Sequence, residues 1–333
     1  MADPWLNIIG LGENGLTGLS EASRAALAAA EIIFGGPRHL ALVDADRRGR
    51  EWPMPFAIDP VLAERGRNVA VLASGDPFWH GAGASVAAHL SPGEWVCHPA
   101  PSTFSIAASR VGWRIEETLC IGLHAAPFER LLPALGRGVR AICLVRDGAA
   151  VASLATWLTE RGFGTSELTV LEALGGPLER TRETTAANFA LPDVTHPVAV
   201  AMTVRGARGL PRSSGLPDEL FAHDGQITKR PVRALTLSAL EPRPGEVLWD
   251  LGAGSGSISV EWCLAACGAT SHAAEAREDR ASNIRANAMT FGLSHRLTVV
   301  AARWVDILAT LPPPDAVFVG GGADPAGMEL VLA

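Results

Sequence analysis

The 333-residue chain is 48% hydrophobic and 19% charged, enough apolar material for about two packed domains, and its net charge is −7. Basic and acidic residues number 19 and 21 before Leu216 and 9 and 14 after it, so neither half has the positive surplus of a non-specific nucleic-acid binder. No apolar run reaches the ~18 residues of a membrane span, and MADPWLN lacks the basic region of a signal peptide. A cytoplasmic protein with no membrane partner is expected.

In chain order, WLNIIGLG predicts a strand, EASRAALAAA a helix, and AEIIFGG, NVAVLAS and EWVCHPA three further strands. FSIAASRVGW reads as a helix, VRAICLV as a strand, AAVASLATWLTERG as a helix, and LTVLEAL and PVAVAMTV as strands. The alternation specifies an α/β fold with mostly parallel strands. RGARGLPRSSGLPD, residues 205–218, is rich in glycine, proline, serine and arginine without periodicity, and reads as a linker. A second series follows: helix RPVRALTLSAL, strand EVLWDLG, helix SISVEWCLAAC, strand SHAAEA, helix RASNIRANAMTFGL, and strands RLTVVAA and DAVFVGGG.

The five cysteines form no C-x-x-C pair, and no zinc site or other metal site is expected. Cys263 and Cys267, four apart, are expected on one helix face. Lys229 is the only lysine; the other fixed cations are arginines, which suit bidentate carboxylate contacts.

NIIGLGENGLTGLSEASRAAL contains G-x-G-x-x-G at Gly10, Gly12 and Gly15. A dinucleotide site needs the third glycine inside the helix and an acid closing the second strand. Here Ser20 is the candidate N-cap, which leaves Gly15 in a loop, and the second strand ends in Gly35-Gly36. The NAD reading fails on this context. Further on, Gly75 and Asp76 form a fixed turn before Pro77, and Ser102 and Thr103 stand at a helix start, as caps or as ligand contacts.

In order and spacing, GLGENGLTGLS, GGPRHL, SGDPFWHG and PSTFSIAASRVGW resemble the tetrapyrrole methylases, S-adenosylmethionine-dependent enzymes of cobalamin and sirohaem synthesis. IGLHA and EALGGPLERTRETT narrow the resemblance to the branch that methylates precorrin-6Y. It covers roughly residues 5–205 and implies the class III methyltransferase fold of two α/β subdomains with the donor in the cleft between them. It implies that Gly10 and Gly12 shape the first loop, that Gly75, Asp76, Ser102 and Thr103 lie near the donor, and that His124 sits on the cleft wall. The chain departs from the wider family at Gly12-Glu13-Asn14-Gly15, where G-P-G-D is usual, and at Trp79-His80-Gly81, where an aromatic-Tyr-Gly is common.

EVLWDLGAGSGSISVEW is a strand, then Asp250, Gly252, Gly254, Ser255 and Gly256, then a helix. Glycines admit a ligand close to the backbone, and a helix start offers free N–H groups. The next strand ends in Glu275, whose carboxylate can take both hydroxyls of a ribose. The pattern resembles the Rossmann-like class I S-adenosylmethionine methyltransferases. HDGQITKRPVRALTLSAL and PPPDAVFVGGG resemble the decarboxylating precorrin methyltransferases, which implies that Thr228 touches the donor and Ala302 lies beside the adenine.

The expected organisation is a tetrapyrrole methylase domain at 1–205, a linker at 206–218 and a class I domain at 219–333. Four strands are expected in the last, against about seven in a full class I sheet. It therefore reads as incomplete and truncated, with an apolar edge left exposed unless a partner covers it. The resemblance implies S-adenosylmethionine as cofactor and a tetrapyrrole substrate, methylated at two carbons with loss of CO₂. Arg38, Arg110 and Arg230 are candidates for its carboxylates by their proximity to the motifs. A homo-oligomer is expected. An NAD-linked oxidoreductase and a non-catalytic partner remain the alternatives.

Overall fold

In the computed structural model, which describes residues 4–323 and 325–332, LNIIGL forms β1 (Leu6–Leu11), almost wholly buried. A strand apolar on both faces belongs inside a parallel sheet covered by helices. The chain continues through α1 (Glu21–Ala29), β2 (Ile32–Gly35), α2 (Pro37–Leu42), β3 (Gly49–Glu51), α3 (Asp59–Leu62), β4 (Val69–Ser74), α4 (Ala82–Ala87) and β5 (Trp95–His98). The strands align in the order β3-β2-β4-β1-β5, all parallel. Ser20 caps α1 by accepting the Ser23 N–H at 3.1 Å, so the helix begins beyond Gly15, as its capping signal predicts.

A second sheet follows, from α5 (Thr103–Val111), β6 (Leu119–Gly122), β7 (Arg140–Val145), α6 (Gly148–Leu158), β8 (Glu167–Glu172), β9 (Arg180–Thr185) and β10 (Val198–Thr203). Its order is β6-β7-β10-β8-β9. Only β6 and β7 run parallel; the other three ladders are antiparallel. The expected parallel bias thus holds for the first sheet and not for this one. β10 lies between β7 and β8 and is buried over Val198–Met202. Both sheets belong to one compact unit, residues 4–125 and 138–207.

The other unit comprises residues 126–137 and 208–332. It contains α7 (Arg230–Leu240), β11 (Val247–Leu251), α8 (Ser257–Ala265), β12 (Thr270–Ala274), α9 (Glu278–Thr290), β13 (Leu297–Val300), β14 (Ala316–Val319) and α10 (Pro325–Leu332). Its four parallel strands take the order β13-β12-β11-β14. α8 is buried from Ser257 to Cys263, and Trp262, Ile284 and Phe291 anchor the core. α8 ends at Ala265, so Cys267 lies beyond it and is exposed while Cys263 is buried; the expected shared helix face is not formed. The glycine- and proline-rich segment before residue 218 has no helix or strand, yet its end is fixed, with Leu216 buried in the core. Among the described residues, no helix is long and apolar enough to cross a membrane.

Candidate functional site

At the carboxyl ends of β1 and β4 the backbone approaches itself closely. A Cβ on Gly10 would lie 2.1 Å from the Gly75 carbonyl oxygen and 2.5 Å from the Ala100 nitrogen. Gly75 has φ +56° and donates its N–H to the Leu11 carbonyl at 2.9 Å. In parallel α/β sheets this end of the strands is where ligands bind. A cavity of about 410 Å³ opens here, walled by Gly12, Glu13, Arg38, Ser74, Gly75 and Thr103 from the first half of the unit. His124, Arg146, His196 and the apolar side chains of Leu144, Leu171 and Leu174 complete it.

Arg38 pairs with Glu13, and its Nη2 donates to the Ser74 Oγ at 2.9 Å. His39 Nε2 lies 2.8 Å from the same hydroxyl. Burial, reinforced by Arg38 and His196, pushes the His39 imidazole down to about 4. Burial also lowers His80, helped by His124, and lowers His196, helped by Arg38. His39, His80 and His196 are therefore held toward the neutral form, and they do not oppose a cationic ligand.

Gly10, Asp76 and Ser102 stand behind this wall. Asp76 Oδ1 accepts the Phe78 N–H at 2.9 Å, fixing the turn before Pro77. Ser102 caps α5 through the Ser105 N–H at 3.0 Å, so the capping reading describes it. Arg110 is exposed and paired with Glu179, and Arg230 is an exposed first residue of α7; neither lines this cavity or the one in the other unit. Lys229 precedes it as an exposed N-cap that makes no side-chain cap bond.

The second cavity, about 710 Å³, lies at the carboxyl ends of β11 and β12. Gly252, Gly254 and Gly256 have φ of +72°, +60° and +71°, a run of left-handed residues that only glycine adopts without strain. A Cβ on Gly252 would meet the Gly321 carbonyl at 2.4 Å. Glu275 accepts the Gly254 N–H at 2.9 Å on one oxygen and the Arg277 N–H at 3.0 Å on the other. Ser255 lines the cavity, and its hydroxyl is buried and has no hydrogen-bond partner among the described residues. Thr228 also lines it, and Trp304, Val305 and Phe318 contribute apolar surface. Gly256 turns the chain into α8 and Ala302 sits one residue before the lining Arg303; neither faces the cavity.

Behind the glycine turn, Asp250 is fully buried and accepts from the Ser259 hydroxyl at 2.6 Å and its N–H at 3.2 Å. Burial raises its carboxyl to about 6, with Ser259 opposing and Glu275 adding to the rise. Arg280, Arg303, Trp304, His80, Arg146 and His196 also line the cavities without having been singled out as lining residues from the sequence. Only the GGG triplet after β14 signalled the Gly320–Gly322 wall.

An orphaned buried hydroxyl, a backbone cradle that a methyl group would fill, and a carboxylate at the strand end together fit an adenosine-bearing ligand. Two α/β units, each with a glycine-walled cavity at its strand ends, are the architecture of a two-domain methyltransferase. Residues 6–190 match the model of the Tetrapyrrole (Corrin/Porphyrin) Methylases, and residues 219–332 that of the Precorrin methyltransferase domain. A "Precorrin-6Y C(5,15)-methyltransferase [decarboxylating]" of Sinorhizobium sp is 45% identical, with 98% of this chain and 81% of that protein covered. One of the same name from Mycobacterium tuberculosis (strain CDC 1551 / Oshkosh) is 42% identical, with 96% and 82% covered. The crystal structure of the C-terminal domain of precorrin-6Y C5,15-methyltransferase from Rhodobacter capsulatus shares 52% identity over 37% of this chain and 66% of that one, with a TM-score of 0.36. The chain belongs to the family of decarboxylating precorrin-6Y C(5,15)-methyltransferases.

Proposed function

We propose that this chain methylates the precorrin-6Y macrocycle at carbons 5 and 15 and removes CO₂ from its ring-C acetate, using one cavity for each transfer. The observation that carries this reading is the pair of separate glycine-walled cavities in one chain, one per unit. S-adenosylmethionine supplies a methyl group already activated on a sulfonium, so the protein's task is alignment and exclusion of water.

In the second unit, Glu275 would receive the ribose hydroxyls on lone pairs left free by the two backbone N–H groups. Ser255 would satisfy its hydroxyl on the donor, and Thr228 would close the other side. Trp304, Val305 and Phe318 would keep the reacting face dry, which favours loss of CO₂ there. In the first unit, Gly12, Gly75 and Thr103 would line the donor site, and the depressed basicity of His39, His80 and His196 keeps repulsion from the sulfonium low. Arg38 would meet a macrocycle carboxylate by exchanging its Glu13 partner.

The test is incubation with precorrin-6Y and donor carrying a trideuterated methyl, read by mass spectrometry. Two labelled methyl groups gained and one CO₂ lost is the expected product. A macrocycle recovered without label would refute the reading.

A further inference from the structure

Residues 216–228 form a strap, irregular apart from one 3-10 turn at Asp218–Leu220, whose end supplies the Gln226, Ile227 and Thr228 wall of the second cavity. One guanidinium grips both ends of this strap. Arg233, with no exposed surface, donates from Nη2 to the Leu216 carbonyl and from Nη1 to the Thr228 carbonyl at 2.5 Å. Its Nε donates to Glu261 at 2.5 Å, and Glu261 in turn accepts the Gly215 and Leu216 N–H groups at 2.5 and 2.9 Å. Asp218, within the strap, pairs with Arg233 at 3.0 Å.

The middle of the strap is tied directly to the glycine turn. The buried Asn287 amide accepts the Ala222 N–H at 2.7 Å, donates to the Ala222 carbonyl at 3.0 Å, and donates to the Ser255 carbonyl at 2.8 Å. One side chain therefore ties the middle of the strap to the glycine turn that lines the cavity.

We propose that Arg233 and Asn287 are positioning residues that hold the strap as a preformed wall of the second donor site while touching no ligand themselves. Stability alone is a poor explanation for the Arg233 cluster. A buried ion pair recovers little more than its desolvation cost, and apolar residues of equal volume often serve folding as well. Its distinguishing property is geometric: a five-donor planar group can hold two carbonyls and a carboxylate at once. The inference rests on the reading of this cavity as a donor site.

The experiment is calorimetric titration of the full chain with S-adenosylhomocysteine, which the two-cavity reading expects to show two sites. Asn287→Asp sets a carboxylate oxygen against two carbonyls. Arg233→Lys keeps the charge beside Glu261 but cannot span both ends of the strap. Each variant is expected to weaken one site by about tenfold or more, the equivalent of a lost buried hydrogen bond, and to leave the other unchanged. At saturating donor the turnover should return, so the loss appears in KM rather than kcat. Two unchanged sites, or equal loss at both in a folded chain, would overturn the proposal. Wild-type chain with no second site would instead overturn the underlying reading. Hydrogen exchange on unmodified, ligand-free protein gives a test independent of variant folding: the Leu216 and Ala222 amides should be protected, and free exchange there would also overturn it.

Discussion

Gly10→Ala isolates the first cavity. The added methyl carbon would lie 2.1 Å from the Gly75 oxygen and 2.5 Å from the Ala100 nitrogen, the two ends of a 3.4 Å hydrogen bond joining the turns after β4 and β5. Both neighbours are backbone, so neither rotates away. Relief requires a shift of roughly 1 Å in the turn that carries Gly75, and displacement of that size in a positioning element costs about 100-fold. Overpacking should also destabilise the unit by about 1–3 kcal/mol. In a two-site titration with S-adenosylhomocysteine, one site should weaken by about 100-fold and the other remain, because Gly252 to Glu275 belong to the other unit. Gly93→Ala is the control, since a Cβ there meets nothing within 4 Å and Gly93 lines neither cavity. Unchanged affinity at both sites in Gly10→Ala would show that the close approach of these turns does not shape a donor site.

Glu172 is buried although it carries charge; burial raises its carboxyl, but Arg180, Arg182 and Thr195 outweigh this and hold it at about 2. A depressed carboxyl contributes stability above its unfolded value of 4.5 and loses it as pH falls toward 2. Glu172→Gln should therefore cost the first unit about 3 kcal/mol at pH 7 in urea unfolding, a gap that closes on acidification; a constant gap would refute the assignment. Asp250 behaves oppositely. Its raised carboxyl favours folding when protonated, and that contribution is lost as pH rises from 3.8 through about 6. The stability of Asp250→Asn relative to wild type should improve by about 3 kcal/mol between pH 4 and pH 8, and a pH-independent difference would show that burial does not raise the Asp250 carboxyl.

Long apolar strands and capped helices were legible because burial leaves a continuous signature in the residues themselves. β1, β4, β10 and β11 and the helix caps at Ser20 and Ser102 follow from that. β3, GRE, and β9, RTRETT, carry no such run; β9 is an edge strand whose arginines serve Glu172. Strand direction in the second sheet was equally unreadable, since an apolar run does not record which way its neighbour points. That direction decides part of the first cavity: the antiparallel pairing of Val198 with Val145 brings His196 beside Arg146. The glycine turns announced themselves because close backbone approach demands glycine. The residues opposite them, such as Arg303 and His196, arrive through tertiary pairing and leave no local trace.

The exposed cap at Lys229 offers a practical handle. Acylating reagents meet a single side-chain amine in this sequence, immediately after Thr228. A fluorophore coupled there would report ligand occupancy at the neighbouring wall in solution without any cysteine having to be engineered.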